Sequence, residues 1–292
     1  MSEAFEIRDV ATAGTTIHAR IGGSGPPLLL LHGYPQTHVM WHRVAPALAE
    51  RFSVICPDLR GYGDSGKPAS DPGHSVYSKR ATAQDMVELM KALGHQRFRL
   101  VGHDRGGRVA HRLALDHPDR VERLAVLDIV PTRAIYRAAN QAIATAYFHW
   151  FFLIQPYDLP ERLIGNDPVY WLHRMLGAWG SRGLSGFAPE AIAEYERCFA
   201  DPKVIHGSCE DYRAAATIDL RHDEADMDKR IVCPVLALWG RHGLMERHFD
   251  VLDSWRERSA GPVTGHALDC GHFLAEERAD ETARALLEFF DA

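Results

Sequence analysis

The sequence has no run approaching the ~18 apolar residues that a bilayer-crossing helix needs. Its opening stretch, "MSEAFEIRDVATAG", lacks the basic-then-apolar order of a secretion signal. The five cysteines (Cys56, Cys198, Cys209, Cys233 and Cys270) are odd in number and contain no C-x-x-C pair. That argues against a disulfide framework and a zinc-ligand spacing, and predicts reduced, mostly buried thiols in a cytoplasmic protein. No lysine-rich run is present, and the formal net charge is −6. Such a balance predicts a soluble protein without broad attraction to nucleic acid or an anionic membrane. Nucleotide-binding loops are missing too. "GYGDSGKP" (61–68) nearly matches a phosphate loop, but Pro68 stands where the metal-binding hydroxyl belongs. "GGSGPP" lacks dinucleotide spacing.

What is present is a 292-residue chain that is 46% hydrophobic, enough for one large core or a core plus a smaller subdomain. Residues 5–10 and 14–21 alternate and read as an opening hairpin. "PPLLLLHG" (26–33) is a continuous apolar run, as expected of a strand covered on both faces. "FSVICPD", "FRLVGHD", "RLAVLDIVP" and "PVLALWG" repeat that form. Helical patterns such as residues 78–94 lie between them. Alternating strand and helix predict an α/β fold with a mostly parallel sheet flanked by helices. The alternation stops after Pro131 and resumes near 220. Residues 132–219 are rich in aromatics and helix formers, so they read as a helical cap inserted between core segments 1–131 and 220–292.

The stretch "VGHDRGGRVAH" (101–111) carries the chemistry. Glycines at 102 and 106 permit a tight strand-to-helix turn that presents Asp104 at the carboxyl edge of the sheet. Asp104 as a simple helix cap is the competing reading. The arginines weigh against it: Arg105 and Arg108 sit in a first helical turn, where the macrodipole disfavours cations. Two of them beside an Asp point to an anion site. Upstream, "LLLLHGYPQ" can present the Tyr34 N–H to the elbow and, with the Arg105 N–H, form an oxyanion hole. His272, in "LDCGHFLAEE", follows the last strand and holds the position of a general base; His103, His111 and His117 do not. Asp128, in an apolar run, needs a buried partner, and His272 is the functional candidate. The other place for an acid, after "PVLALWG", leads into "RHGLMERH", which has no Asp; Glu246 is the nearest carboxylate.

Together "GHDRGGR" (102–108), "LDIVPT" (127–132), His149-Trp150, "CEDYRA" (209–214) and "GHF" (271–273) resemble the α/β-hydrolase superfamily, and within it the fluoroacetate (haloacetate) dehalogenase family. The resemblance implies an enzyme with Asp104 as nucleophile, His272 as base and Asp128 as its orienting acid. It implies Arg105 and Arg108 on the substrate carboxylate, and His149, Trp150 and Tyr212 around the halide. Tyr34 departs from the Phe common in the family. The implied partner is a small haloacid, with no metal or cofactor; a homodimer is the family expectation. One alternative is an epoxide hydrolase, which needs protonating tyrosines; Tyr147, Tyr157, Tyr170, Tyr195 and Tyr212 are available. A second is a non-enzymatic receptor on the same fold.

Overall fold

Leu28 to Leu31 are fully buried, as the unbroken apolar run requires. Each such side chain contributes about 1.5–3 kcal/mol of burial. The computed structural model describes residues 4–291. Its strands are β1 (Glu6–Ala11), β2 (Thr16–Gly22), β3 (Pro27–Leu31), β4 (Ser53–Pro57), β5 (Phe98–His103), β6 (Val121–Leu127), β7 (Val235–Gly240) and β8 (Val263–Leu268). They form one sheet in the order β1-β2-β4-β3-β5-β6-β7-β8. β1 pairs antiparallel with β2, and β2 antiparallel with β4; from β4 to β8 every pairing is parallel. β8 has a half-exposed pattern and no continuous apolar run, so it escapes a search for buried strands.

The helix expected at 78–94 spans Lys79–Ala92. The Ser78 side chain caps it by accepting from the Ala81 N–H, and Gly94 follows with φ +88°. From Thr132 to Ala225 the described chain has helices and no strand. Residue 219 lies inside the helix Ile218–Ala225, so the helical stretch runs past the expected boundary. The aromatic-rich segment 133–155 falls in three short helices: Thr132–Arg137, Gln141–Ala146 and Phe148–Phe152. Asn140 causes one break, since its side chain caps the second helix by accepting from the Ile143 N–H. All five cysteines are buried and unpaired. No helix among the described residues is long and apolar enough to cross a membrane. The near-match to a phosphate loop is a turn: Gly61 and Gly63 take positive φ, and Lys67 Nζ donates back to the carbonyls of Gly63 and Ser65.

Candidate active site

Asp104 is the first residue of the helix Asp104–Asp116, directly after β5, with φ +44°. A non-glycine residue there carries strain of roughly 1–3 kcal/mol, which the surroundings must hold in place. The turn leaves no room for side chains beside it. A Cβ on Gly102 would meet the Gly106 oxygen at 2.5 Å, and one on Gly106 would meet the His32 oxygen at 2.4 Å. Asp104 is buried rather than exposed as the elbow motif suggests, and from the helical stretch Tyr212 and Trp150 lie against the neighbouring Arg105 and Arg108 guanidinium groups. The Tyr34 N–H donates to Asp104 Oδ2 at 3.0 Å. Burial pushes the Asp104 carboxyl pKa upward, but the charges of His272, Arg105 and Arg108 outweigh it and hold the value at about 2.

Asp128 directly follows β6, also in the left-handed region at φ +51°. Its Oδ1 accepts the Gly240 N–H at 2.9 Å, and its Oδ2 lies 2.6 Å from His272 Nδ1. The neighbouring β7 therefore satisfies one carboxylate oxygen and leaves the other to the imidazole. A Cβ on Gly240 would stand 2.0 Å from the Gly271 oxygen, so only glycine lets the His272 loop come this close. Burial lowers the His272 pKa. The hydrogen bond and charge of Asp128, with the Asp104 charge, overcome that and raise it above its ordinary value. Glu246 is exposed and accepts from Trp239 Nε1, away from His272. His103 is buried with its Nε2 2.8 Å from the His272 carbonyl, so it supports the loop. His111 packs on Trp255.

Arg105 is fully buried. Its Nε donates to Asp211 Oδ2 at 2.6 Å and its Nη2 to the Asp211 carbonyl at 2.9 Å, which leaves Nη1 buried without a partner. The guanidinium carbon of Arg105 lies 4.0 Å from the centroid of the Tyr212 ring. Arg108 Nη1 donates to the Val130 carbonyl and Thr132 Oγ1, both at 3.1 Å, while its Nε has no partner. Its guanidinium carbon lies 4.5 Å from the Trp150 ring centroid. His149 Nδ1 and Tyr212 Oη are buried without partners as well. Burial keeps the His149 pKa well below the ordinary histidine value, which favours the neutral ring. The nine residues expected at the site thus converge in one buried cluster. A cavity of about 290 Å³ reaches it, with Asp128, Tyr147, Trp179 and His272 in its wall and exposed Arg174 and Arg247 at its rim. A larger cleft of about 790 Å³, beside Tyr157 and His206, contains none of them.

The model of the α/β hydrolase fold family matches residues 26–279. The chain belongs to the α/β-hydrolase superfamily. A fluoroacetate dehalogenase from Burkholderia sp is 50% identical over 289 residues, 99% of this chain and 95% of that protein. A soluble epoxide hydrolase from Corynebacterium sp. (strain C12) is 37% identical, over 95% of this chain and 94% of that one. Among solved structures, one from Nostoc sp PCC 7120 described as an α/β hydrolase superposes with a TM-score of 0.96 at 59% identity, covering 98% of both chains.

Within this α/β-hydrolase site, sequence reasoning overlooks Asp211. It is buried on the helix Pro202–Ala216, next to Tyr212, and takes hydrogen bonds from Arg105, Lys79 and Tyr62. Arg105 and Lys79 offset the burial and hold its carboxyl below the usual range. The signal was available: a buried arginine requires a carboxylate, and "CEDYRA" supplies one. Tyr34 is also more than a backbone donor, since its hydroxyl accepts from Trp171 Nε1 at 2.5 Å. Of the five tyrosines weighed as acids, Tyr157 and Tyr170 are exposed, and the Tyr195 hydroxyl is taken by Glu276. Tyr147 and Tyr212 remain at the site.

Proposed function

We propose that this α/β hydrolase cleaves the carbon–halogen bond of haloacetates, fluoroacetate among them, through an ester on Asp104. The observation that carries the reading is the set of buried polar atoms without partners around one ionised carboxylate. These are Arg105 Nη1, Arg108 Nε, His149 Nδ1 and Tyr212 Oη. Leaving such groups unpaired costs about 1–3 kcal/mol each, which an anionic substrate and its departing halide would recover. The likeness to the Burkholderia dehalogenase supports the same substrate class.

In the first step an Asp104 oxygen attacks the carbon bearing the halogen. The carbon–halogen bond breaks, the halide leaves with its electron pair, and an ester forms. Arg105 and Arg108 hold the substrate carboxylate and align it for in-line attack. His149, Trp150 and Tyr212 surround the halide, and their N–H and O–H groups solvate it. In the second step neutral His272 takes a proton from water, and the hydroxide adds to the ester carbonyl of Asp104. The N–H groups of Tyr34 and Arg105 stabilise the resulting oxyanion. Collapse expels the hydroxy acid, whose alkoxide takes up the proton from His272, and leaves Asp104 as a carboxylic acid that gives its proton to solvent and returns to the carboxylate. The net reaction consumes one water and releases the hydroxy acid, one halide and one proton.

Epoxide hydrolysis is the second reading, favoured by the Tyr147 and Tyr212 pair at the site and by the Corynebacterium relative. The arginines speak for a substrate with its own carboxylate. Halide release from fluoroacetate and chloroacetate, measured beside diol formation from styrene oxide, separates the two. Halide without diol is expected, and no halide from either haloacetate would sink the proposal. His272→Asn should trap the ester as added mass on the peptide containing Asp104; an unmodified peptide would refute the two-step route.

A further inference from the structure

Three parts of the fold meet at one buried carboxyl group. Glu276 lies on the short helix Leu274–Glu277, just after His272 in the chain, and is buried. Gln36 is fully buried in the loop after β3 that presents the Tyr34 N–H to Asp104. Tyr195, fully buried as well, comes from the helix Pro189–Phe199 of the helical stretch. The Tyr195 hydroxyl donates to Glu276 Oε1 at 2.6 Å. The Gln36 Nε2 donates to the Tyr195 hydroxyl at 3.2 Å and to Glu276 Oε1 at 3.4 Å. The remaining oxygens of this amide and carboxyl, Gln36 Oε1 and Glu276 Oε2, are both buried without a partner.

An ionised Glu276 leaves those two oxygens as acceptors with no donor, which buried polar groups rarely tolerate. A carboxylic acid has one O–H to give. Carried on Oε2, it can donate to Gln36 Oε1 while Gln36 Nε2 donates to Glu276 Oε1. Amide and acid then close a ring of two hydrogen bonds, and neither oxygen is left over. The charged groups nearby do not compete for this role. Arg43 Nη1 donates to the Glu276 backbone carbonyl at 2.8 Å, not to its carboxyl. His42 Nδ1 stands 3.7 Å from Glu276 Oε2 but lies 3.0 Å from the Val39 carbonyl, to which it donates. Burial lowers the His42 pKa and outweighs the opposite pull of Glu190, which favours the neutral ring. From the last helix, Ala279–Asp291, the Thr282 hydroxyl donates to the Leu274 carbonyl instead. Burial raises the Glu276 pKa to about 7, against the lowering effects of the Tyr195 hydrogen bond and the Arg43 charge.

We propose that Glu276 is held as a neutral carboxylic acid paired with the Gln36 amide, and that this pair pins the Tyr34 loop to the helical stretch until the proton leaves. Glu276 is thus a positioning residue that acts through Gln36, whichever substrate the site takes. The sign of its pH dependence follows from a folded-state pKa above the ordinary 4.5. Its stabilising effect is complete below the unfolded value and is lost as pH rises through about 7.

The test compares the full-length protein with Glu276→Gln, whose side-chain amide reproduces the neutral acid and can donate to Gln36 Oε1. Infrared difference spectra between about pH 6 and pH 8 should show a protonated-carboxyl band that disappears at the higher pH and is missing from the variant. The two proteins should melt alike near pH 5, and the variant should melt a few degrees higher at pH 8. Absence of a band that the variant removes overturns the proposal. So does a variant Tm equal to or below that of the unaltered protein at pH 8, the result expected if an ionised Glu276 paired with His42 were stabilising. Should Glu276→Gln fail to fold, Gln36→Leu decides. The band should then move to higher frequency as the acid loses its amide partner, and an unmoved band overturns the pairing.

Discussion

Two aspartates with left-handed backbones face the same imidazole, and their neighbours set them to different work. Asp104 answers to His272 and two arginines and stays ionised, as the proposed nucleophile must. Asp128 answers to a backbone N–H and to His272 Nδ1, as the proposed orienting group must. In the proposed reaction only neutral His272 can take a proton from water. Ester hydrolysis should therefore rise with pH through a midpoint above the ordinary imidazole value of 6.5. The same raised pKa makes His272 stabilising at low pH, and that contribution is lost as pH rises through the folded-state value. Asp128→Asn removes the group that favours the imidazolium. The midpoint should fall, kcat should drop about 10³–10⁴-fold, and ester should accumulate on Asp104. A pH–rate profile that does not move would remove Asp128 from this role. Asp211→Asn should act differently, because it leaves the buried charges of Arg105 and Lys79 short of a partner. About 3–5 kcal/mol of stability should be lost, read from denaturant unfolding. In whatever enzyme folds, KM for a haloacetate should rise more than kcat falls.

At the scale of elements, the strand-turn-helix elbow was legible in the sequence because steric rules impose glycine at fixed offsets. The buried parallel strands were legible because they must be apolar on both faces. The final strand was not, since β8 is half exposed and lacks that signature. The partners of the arginines were also hidden. Asp211 is 106 residues from Arg105, and no local periodicity links them. The first break in 133–155 hangs on one capping side chain, that of Asn140, which an aromatic-rich helical pattern masks. The loop after β3 offers a direct test of elbow geometry. A Cβ on Gly33 would stand 2.6 Å from Asp104 Cβ and 3.1 Å from its Oδ2. Gly33→Ala should thus displace the Asp104 carboxylate from the Tyr34 N–H while leaving the sheet paired. Halide release should fall about 10²-fold with Tm lowered by only a few degrees. Near-normal turnover would show that the turn has slack the packing does not suggest.

For the whole molecule, the difficulty is that a chain of net charge −6 repels an anionic substrate at long range. The charges that bind the substrate in the proposed reaction, Arg105 and Arg108, are buried and already share carboxylates or carbonyls, so they project little field into solvent. The approach must be biased elsewhere. Exposed Arg174, from the helix Pro168–Trp179, and Arg247, from the helix Leu244–His248, flank the cavity that ends at Asp128 and His272. One comes from the helical stretch and the other from the sheet-bearing part, so the cationic rim exists only when both are docked. Arg174 has no ion-pair partner among the described residues, and its charge is free to act on an incoming anion. Arg174→Glu should lower kcat/KM for fluoroacetate or chloroacetate about three- to tenfold at low ionic strength and leave kcat unchanged. The deficit should shrink toward unity in roughly 0.5 M salt, where the Debye length is only a few Å. A loss of kcat/KM that persists in high salt would mean that Arg174 shapes the cavity instead of steering substrate toward it.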